Sequence, residues 1–144
     1  METKTLMTDV LELMKTRPLT LQQIEKVLHV RLAPDAQNTD EYTQFYSATS
    51  KESPVGLQSV EVRLPTSAAS TKQRMLILSL NPSCGLMESE IRERLGEPNS
   101  VQVGRPAAPE GTSYTYRMKT GELRFGILRE PKDHIGTIVI AWKE

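Results

Sequence analysis

The segment Leu57-Gln58-Ser59-Val60-Glu61-Val62-Arg63-Leu64 decides the fold class of this chain. Side chains on a β-strand point alternately to its two faces. One face of this segment therefore holds Val60, Val62 and Leu64, and the other holds Ser59, Glu61 and Arg63. This alternation predicts a strand that has one face in a hydrophobic core and the other in water.

Further strands are predicted on both sides of this segment. Met75–Leu80 and Ile135–Trp142 are apolar on both faces, which is typical of strands at the centre of a sheet. The stretch Asn99–Thr112 holds two glycines and two prolines and is expected to be a long loop. The complete set of predicted strands is 42–48, 57–64, 75–80, 114–118, 123–128 and 135–142.

Three helices are predicted from apolar residues at helical spacing, over 1–16, from residue 20 to about residue 30, and over 87–95. Thr20 and Gln23 have the spacing of a capping box, in which each side chain accepts a hydrogen bond from the backbone of the other. Gly96 is expected to end the third helix in a left-handed conformation, and Pro98 prevents its continuation.

The order of elements is α, α, β, β, β, followed by α, β, β, β. It predicts an α+β protein of two αβββ-like units, with helices packed on one side of antiparallel strands. We place the units at residues 1–82 and 83–144 and expect one compact domain that arose by tandem duplication. At one constant offset, the matching apolar positions are Leu19 with Leu86, Ile24 with Ile91, and Leu28 with Leu95.

Composition excludes several classes of function. The 144 residues include 18 basic and 18 acidic side chains, so the net charge is zero and the basic field of a general nucleic-acid binder is missing. One cysteine excludes an intramolecular disulfide, and two histidines with it argue against a structural zinc site. No apolar run approaches the roughly 20 residues of a membrane span, and no signal-peptide pattern is visible. We expect neither a metal nor a cofactor.

The segment Gly85–Pro98 and the strand Tyr114-Thr115-Tyr116 resemble a known family pattern. In the SmpA/OmlA (BamE-like) and β-lactamase-inhibitor-protein-like superfamily, a glycine precedes a short helix that ends in Leu-Gly-x-Pro, and a loop and a Tyr-x-Tyr strand follow. The chain departs from this pattern at Met87, where the family often has a capping threonine. Thr20 holds the equivalent place in the first half.

This resemblance implies a binding fold without catalytic activity, usually located outside the cytoplasm. Members with two tandem units use a sheet surface to grip a partner protein. Small two-unit proteins of this kind are also similar to immunity proteins, such as those that block the amidase effectors of type VI secretion. We therefore expect an inhibitor or immunity protein that occludes the active site of a toxic enzyme, such as a secreted cell-wall hydrolase. The oligomeric state stays open.

The partner-binding residues expected from the sequence are aromatic, basic or located in loops. Half-exposed tyrosines suit a binding surface because each combines an apolar ring with a hydroxyl group. Tyr42 and Tyr46 share one strand face, as do Tyr114 and Tyr116. Each pair forms an aromatic platform if its face is uncovered, and belongs to the core if its face is covered. The full set is Tyr42, Tyr46, Arg105, Tyr114, Tyr116, Arg117 and His134, and Phe45, Phe125 and Trp142 are expected in the core.

Two alternative functions stay open. The first is an accessory role in assembly of the cell envelope, which an upstream leader with a lipid-modified cysteine would favour. The second is a small cysteine-dependent hydrolase, with Cys84 as the nucleophile and His29 or His134 as the base. No third, orienting residue is identifiable for such a site. The periplasm is favoured over the cytoplasm on the assumption that a leader has been removed.

Overall fold

A computed structural model describes residues 3–49 and 56–143 of the chain. Its three α-helices are α1 (Thr3–Lys15), α2 (Leu21–Leu28) and α3 (Glu88–Leu95), and a single 3-10 turn covers Pro82–Cys84. Its strands are β1 (Ala33–Pro34), β2 (Thr43–Thr49), β3 (Leu57–Pro65), β4 (Gln73–Leu80), β5 (Ser100–Val103), β6 (Glu110–Met118), β7 (Gly121–Leu128) and β8 (Ile135–Lys143).

All of these strands belong to one antiparallel sheet, in the order β1-β2-β3-β4-β8-β7-β6-β5. Strands β1–β4 come from the first half of the chain and β5–β8 from the second. The two halves meet where β4 pairs with β8. Strands β4 and β8 therefore occupy the centre of the sheet, as their apolar residues on both faces predict.

The core lies on one face of the sheet, which we call the core face. In register across five strands, this face carries the fully or almost fully buried Val60, Leu78, Ile138, Phe125 and Tyr114. Apolar helix residues belong to the same cluster, among them Leu6, Leu13, Ile24 and Ile91. The alternating pattern of β3 is confirmed, since Val60 and Val62 are buried and Glu61 and Arg63 are only partly covered.

The predicted architecture of two αβββ-like units with helices packed on one side is wrong. The chain is 44% strand and 22% helix, and it is mainly one eight-stranded antiparallel sheet with three short helices. Each half of the chain contributes four strands, where three were predicted. The sequence pattern missed the two outermost strands for different reasons. Strand β1 is only two residues long, and the alternating Val101-Gln102-Val103 of β5 lies in a stretch whose glycines and prolines indicated a loop.

The long loop predicted over residues 99–112 is also wrong in part. Ser100–Val103 forms β5, which pairs with β6 from Ser100↔Thr115 to Val103↔Thr112. Only residues 104–109 remain as a connection between two strands. The other predicted connection, from residue 49 to residue 56, lies mostly outside the described residues.

The helix ends follow the local chemistry of the sequence. Thr20 and Gln23 form the expected capping box, with the Gln23 amide donating to the Thr20 hydroxyl and the Thr20 amide donating to the Gln23 side chain. Gly96 ends α3 with a positive φ of 77°, but its ψ of −156° is not that of the left-handed helical region. The expectation of positive φ at Gly96 is thus confirmed, whereas the left-handed helical conformation is not.

Candidate functional site

The face of the sheet opposite the core is the candidate binding surface, and we call it the outer face. At its centre lie four apolar side chains on β4 and β8, Met75, Ile77, Val139 and Ala141, which we call the apolar strip. Met75 is in register with Ala141, and Ile77 with Val139. Met75, Ile77 and Val139 are partly buried, whereas Ala141 is buried. The partly buried Met75, Ile77 and Val139 therefore place apolar surface on the side of the sheet away from the core.

Arginine–glutamate pairs border the apolar strip on both sides. On β3, the Arg63 Nε lies 2.6 Å from the Glu61 Oε2, and these residues are in register with Met75 and Ile77. On β7, the Arg124 Nη2 lies 2.9 Å from the Glu122 Oε1. The outer face thus has an apolar centre and charged borders, which is the arrangement of many protein–protein interfaces.

These ion pairs lie at the surface and add little to the stability of the fold. The side chains of Arg63 and Arg124 are 43% and 44% exposed, and exposed pairs of this kind contribute about 0–1 kcal/mol. The pairing does hold the guanidinium groups in defined positions. Arg63 is fixed further by the Phe45 ring, whose centroid lies 5.2 Å from the guanidinium carbon. Held in this way, the arginines lose less side-chain entropy when a partner binds.

Phe45 was expected in the core, and that prediction is wrong. It is in register with Arg63 on the outer face and is only partly buried. The strand pattern misleads here because β2 carries aromatic residues on both of its faces, and Tyr46 is the one on the core face. Phe125 and Trp142 do belong to the core, as expected.

Tyr114 and Tyr116 are core residues, so they do not form an exposed aromatic platform. They are 6% and 4% exposed and lie on the core face of β6. The Tyr114 hydroxyl accepts hydrogen bonds from Arg92 on α3. The Tyr116 hydroxyl donates to the Gly96 carbonyl oxygen at 2.9 Å. Both hydroxyl groups therefore connect the end of α3 to the sheet.

Arg92 ties α3 to its surroundings through several contacts. Its guanidinium pairs with Glu88 at 2.6 Å and with Glu97, and its carbon lies 5.0 Å from the centroid of the Tyr114 ring. The hydrogen bond to the Tyr114 hydroxyl and the contact with Glu97 raise the pKa of Arg92 above its ordinary value, against the opposing effect of desolvation. These contacts hold α3 against β6 and the start of the next connection.

The remaining predicted site residues are not brought together. Tyr42 is 54% exposed and lines a cavity between β3, β4 and the 66–72 loop, beside Arg63. Tyr46 lies on the core face and is partly buried. Arg105 is in the 104–109 loop, Arg117 is in register with Glu122 on the outer face, and His134 follows the turn before β8. Of the predicted set, Arg117 lies on the outer face beside the Arg124–Glu122 pair, and Tyr42 lines a cavity together with Arg63 and Met75.

The apolar strip was missed as a site, although the sequence contains a signal for it. A central strand that is apolar on both faces is expected to be buried on both faces. In β4 and β8, the apolar residues of the core face belong to the same hydrophobic cluster as the described helices, whereas Met75, Ile77 and Val139 on the outer face do not. The sequence prediction placed both segments at the centre of the sheet but did not identify Ile77 and Val139 as a binding surface.

The Cys84 side chain is partly buried. Burial raises the pKa of the Cys84 thiol above its ordinary value, against the lowering effect of its hydrogen bond with the backbone of Leu86. The side chain borders Gly56, where an added Cβ would lie 3.1 Å from the Cys84 Sγ. A nucleophilic cysteine needs a lowered pKa, so this environment disfavours a thiolate.

No group of three or more His, Cys, Asp or Glu side chains is arranged to hold a metal ion within residues 3–49 and 56–143. Over the same residues, no helix combines the length and the apolar character required to cross a bilayer. Comparisons of the chain with protein-family models, with curated proteins and with solved structures found no match.

Proposed function

We propose that this chain is a non-catalytic protein-binding protein that grips a partner with the outer face of its sheet. The observation that carries the proposal is the apolar strip between the Arg63–Glu61 and Arg124–Glu122 pairs. An apolar centre supplies binding energy when a partner removes it from water. The charged border supplies specificity and speeds association.

The partner that we propose is an enzyme whose active-site cleft is closed by this face. An inhibitor or immunity protein needs no chemistry of its own, and burial raises the pKa of the Cys84 thiol, which disfavours a nucleophilic thiolate. The sheet, with strands of up to nine residues, is broad enough for a standard interface of about 800 Å² on each partner. By analogy with the family that the sequence resembles, we propose a secreted cell-wall hydrolase, such as a type VI amidase effector.

The test compares the native chain with two variants of the outer face. Ile77→Glu places a charge in the apolar strip, and Arg124→Glu reverses one border charge. Val101→Glu is the matched control, because Val101 is a 51% exposed apolar residue on β5, outside the apolar strip. Each variant is checked for native circular dichroism before use.

Tagged proteins are used to capture partners from the envelope fraction of the source organism, and captured enzymes are then purified. We expect one enzyme that binds the native chain and the Val101→Glu control and is inhibited by both. Ile77→Glu should weaken binding by about 30-fold or more, as for a central interface residue. Equal binding by Ile77→Glu, or binding without inhibition of the enzyme, would contradict the proposal.

A further inference from the structure

A cavity of about 620 Å³ adjoins the apolar strip on the outer face. Its floor is formed by β4, β6, β7 and β8, and the 104–109 loop forms one wall. Leu80, Val103, Pro109 and Leu128 give it an apolar lining. Two carboxylates, Glu110 and Glu130, also line it, and no Lys, Arg or His is present among the described residues that do so.

Glu110 is held in a fixed position at the floor of this cavity. The Thr137 hydroxyl donates a hydrogen bond to the Glu110 Oε2 at 2.8 Å. The carboxylate lies directly over Gly126, where an added Cβ would be 2.0 Å from the Glu110 Oε2. At Gly136, an added Cβ would be 3.2 Å from the same oxygen. Because glycine has no side chain, Gly126 and Gly136 leave room for the Glu110 carboxylate.

The Glu110 carboxylate has no cationic partner among residues 3–49 and 56–143. By contrast, the outer-face carboxylates Glu61 and Glu122 each pair with an arginine. The nearby Arg129 is engaged elsewhere, since its Nε donates to the Ala108 carbonyl oxygen and its Nη2 to that of Arg105. Glu110 is therefore a positioned negative charge that the described chain does not neutralise.

The wall of the cavity is held in place before any ligand binds. Besides the two hydrogen bonds from its side chain, Arg129 donates its backbone amide to the Pro109 carbonyl oxygen at 3.0 Å. The Gly104 amide donates to the Gly111 carbonyl oxygen at 2.9 Å, which closes the base of the loop. Because these contacts already order the wall, it loses little conformational entropy when a ligand binds.

We infer that this cavity receives an arginine side chain of the partner protein, whose guanidinium pairs with Glu110. The apolar lining suits the methylene stem of such a side chain, and the carboxylate suits its charged end. The polar groups of Ser79, Gln102 and Ser113 also line the cavity and can accept the remaining N–H groups of a guanidinium. This inference rests on the proposed function, since it adds a specificity contact to the same face.

The experiment uses N-acetyl-arginine methylamide as the probe, so it needs no identified partner. It is titrated into the ¹⁵N-labelled full chain at low ionic strength, and N-acetyl-citrulline methylamide is the neutral control of the same shape. We expect saturable shifts confined to the amides of Gly104, Gly126, Gly136 and Thr137 with the arginine probe and none with the citrulline probe.

Two variants test the role of Glu110 itself. Glu110→Gln removes the charge, and Gly126→Ala keeps the charge but places a methyl group where the carboxylate lies. Each variant should weaken binding of the arginine probe by about tenfold or more, as expected for loss of a charge-assisted hydrogen bond. Glu93→Gln is the matched control, because Glu93 is an exposed carboxylate on α3 that does not line the cavity, and it should leave the affinity unchanged.

Absence of localised shifts in the native chain would overturn the inference, as would equal binding by Glu110→Gln. Tighter binding of a free diamine such as putrescine than of the arginine probe would also overturn it, in favour of a small-molecule amine. These results are separate from the test of the proposed function. If the native chain bound the arginine probe saturably but Ile77→Glu captured as much partner as the native chain, only the proposal that the apolar strip binds the partner would be refuted.

Discussion

At the scale of single residues, burial decides what each side chain can do. Tyrosine is a residue type that is common in binding surfaces, but Tyr114 and Tyr116 on β6 direct their rings into the core. The Tyr116 ring packs edge-on against Phe125 with centroids 5.9 Å apart. Its hydroxyl finds the Gly96 carbonyl oxygen, as a buried hydroxyl must find a partner. The same residue type is therefore structural on β6 and half exposed at Tyr42.

Cys84 gives the first prediction. Because burial raises the pKa of its thiol from the ordinary 9.0, we expect iodoacetamide to react several-fold more slowly with the native chain at pH 8 than with the urea-unfolded chain. The rate in the native chain should reach half of its maximum above pH 9. Mass spectrometry of the single modified cysteine measures both rates.

The raised pKa of Cys84 also sets the sign of its effect on stability. The native state binds this proton more tightly than the unfolded state, so the thiol lowers stability only as pH rises above 9.0. The ionisation of Cys84 should therefore have no effect on stability at pH 7. A native alkylation rate that reaches its plateau below pH 8 would show a reactive thiolate and would contradict the packed environment.

At the scale of secondary-structure elements, the starts of α2 and α3 differ by one side chain. Thr20 supplies a hydroxyl that accepts from the Gln23 amide, so the capping box of α2 is complete. At α3, the Glu90 carboxylate accepts from the Met87 backbone amide at 2.9 Å, but Met87 offers only a thioether sulfur, a weak acceptor, in return. The α3 capping box therefore lacks the hydroxyl contact that completes the box at α2.

This difference gives the second prediction, in which the two caps are exchanged. Met87→Thr should complete the α3 capping box and raise the free energy of unfolding by about 0.5–1 kcal/mol. Met87 is only partly buried and is not among the residues packed against the core, so little packing is lost. Thr20→Met should lower the free energy of unfolding by about 1 kcal/mol. Urea unfolding measures both changes.

The matched control is Gln22→Met, because Gln22 is exposed in the first turn of α2 and takes no part in the cap. It should change stability by less than about 0.5 kcal/mol. If Met87→Thr destabilised the chain as much as Thr20→Met does, the capping account of α3 would be wrong.

At the scale of the whole molecule, the pairing of β4 with β8 joins the two halves of the chain. Seven residue pairs connect these strands, from Gln73↔Lys143 to Ser79↔Thr137. Buried residues from both halves belong to the same hydrophobic cluster. A unit joined by a shared sheet and a shared core is expected to unfold as one.

The third prediction concerns this cooperativity. Trp142 is the single tryptophan, is 2% exposed and lies on β8, so its fluorescence reports on the sheet centre. We expect its urea transition to coincide with the loss of circular dichroism in the far ultraviolet. Leu78→Ala, in the first half of the chain, should shift both signals together and cost about 2–5 kcal/mol.

The control for Leu78→Ala is Val103→Ala, since Val103 is 84% exposed at the sheet edge and its truncation should cost less than about 0.5 kcal/mol. Two separate transitions, with only the first sensitive to Leu78→Ala, would show that the halves fold independently. That outcome would contradict the coupling expected from the pairing of β4 with β8.

Local signals predicted the elements well and the candidate site poorly. The alternation of Val60 and Val62, the capping box at Thr20 and the positive φ at Gly96 all depend on neighbours in sequence, and all three are present. The two residues of β1 are too few for a periodic pattern, and the alternation in β5 was outweighed by the glycines and prolines that follow it. Glu110, Thr137 and Gly126 come together from three strands, and no spacing along the chain links them.

The amino-acid sequence by itself determined the three helices and the six longer strands, because turn residues, caps and apolar periodicity act over a few neighbouring positions. It also determined the alternation that separates a core face from an outer face in β3. Only the tertiary structure decided that eight strands form one sheet and that Met75 and Ile77 lie between two arginine–glutamate pairs. The tertiary structure also decided that the Glu110 carboxylate lies against Gly126 and Gly136. The physical reason is that register between strands distant in sequence is set by the packing of the whole core.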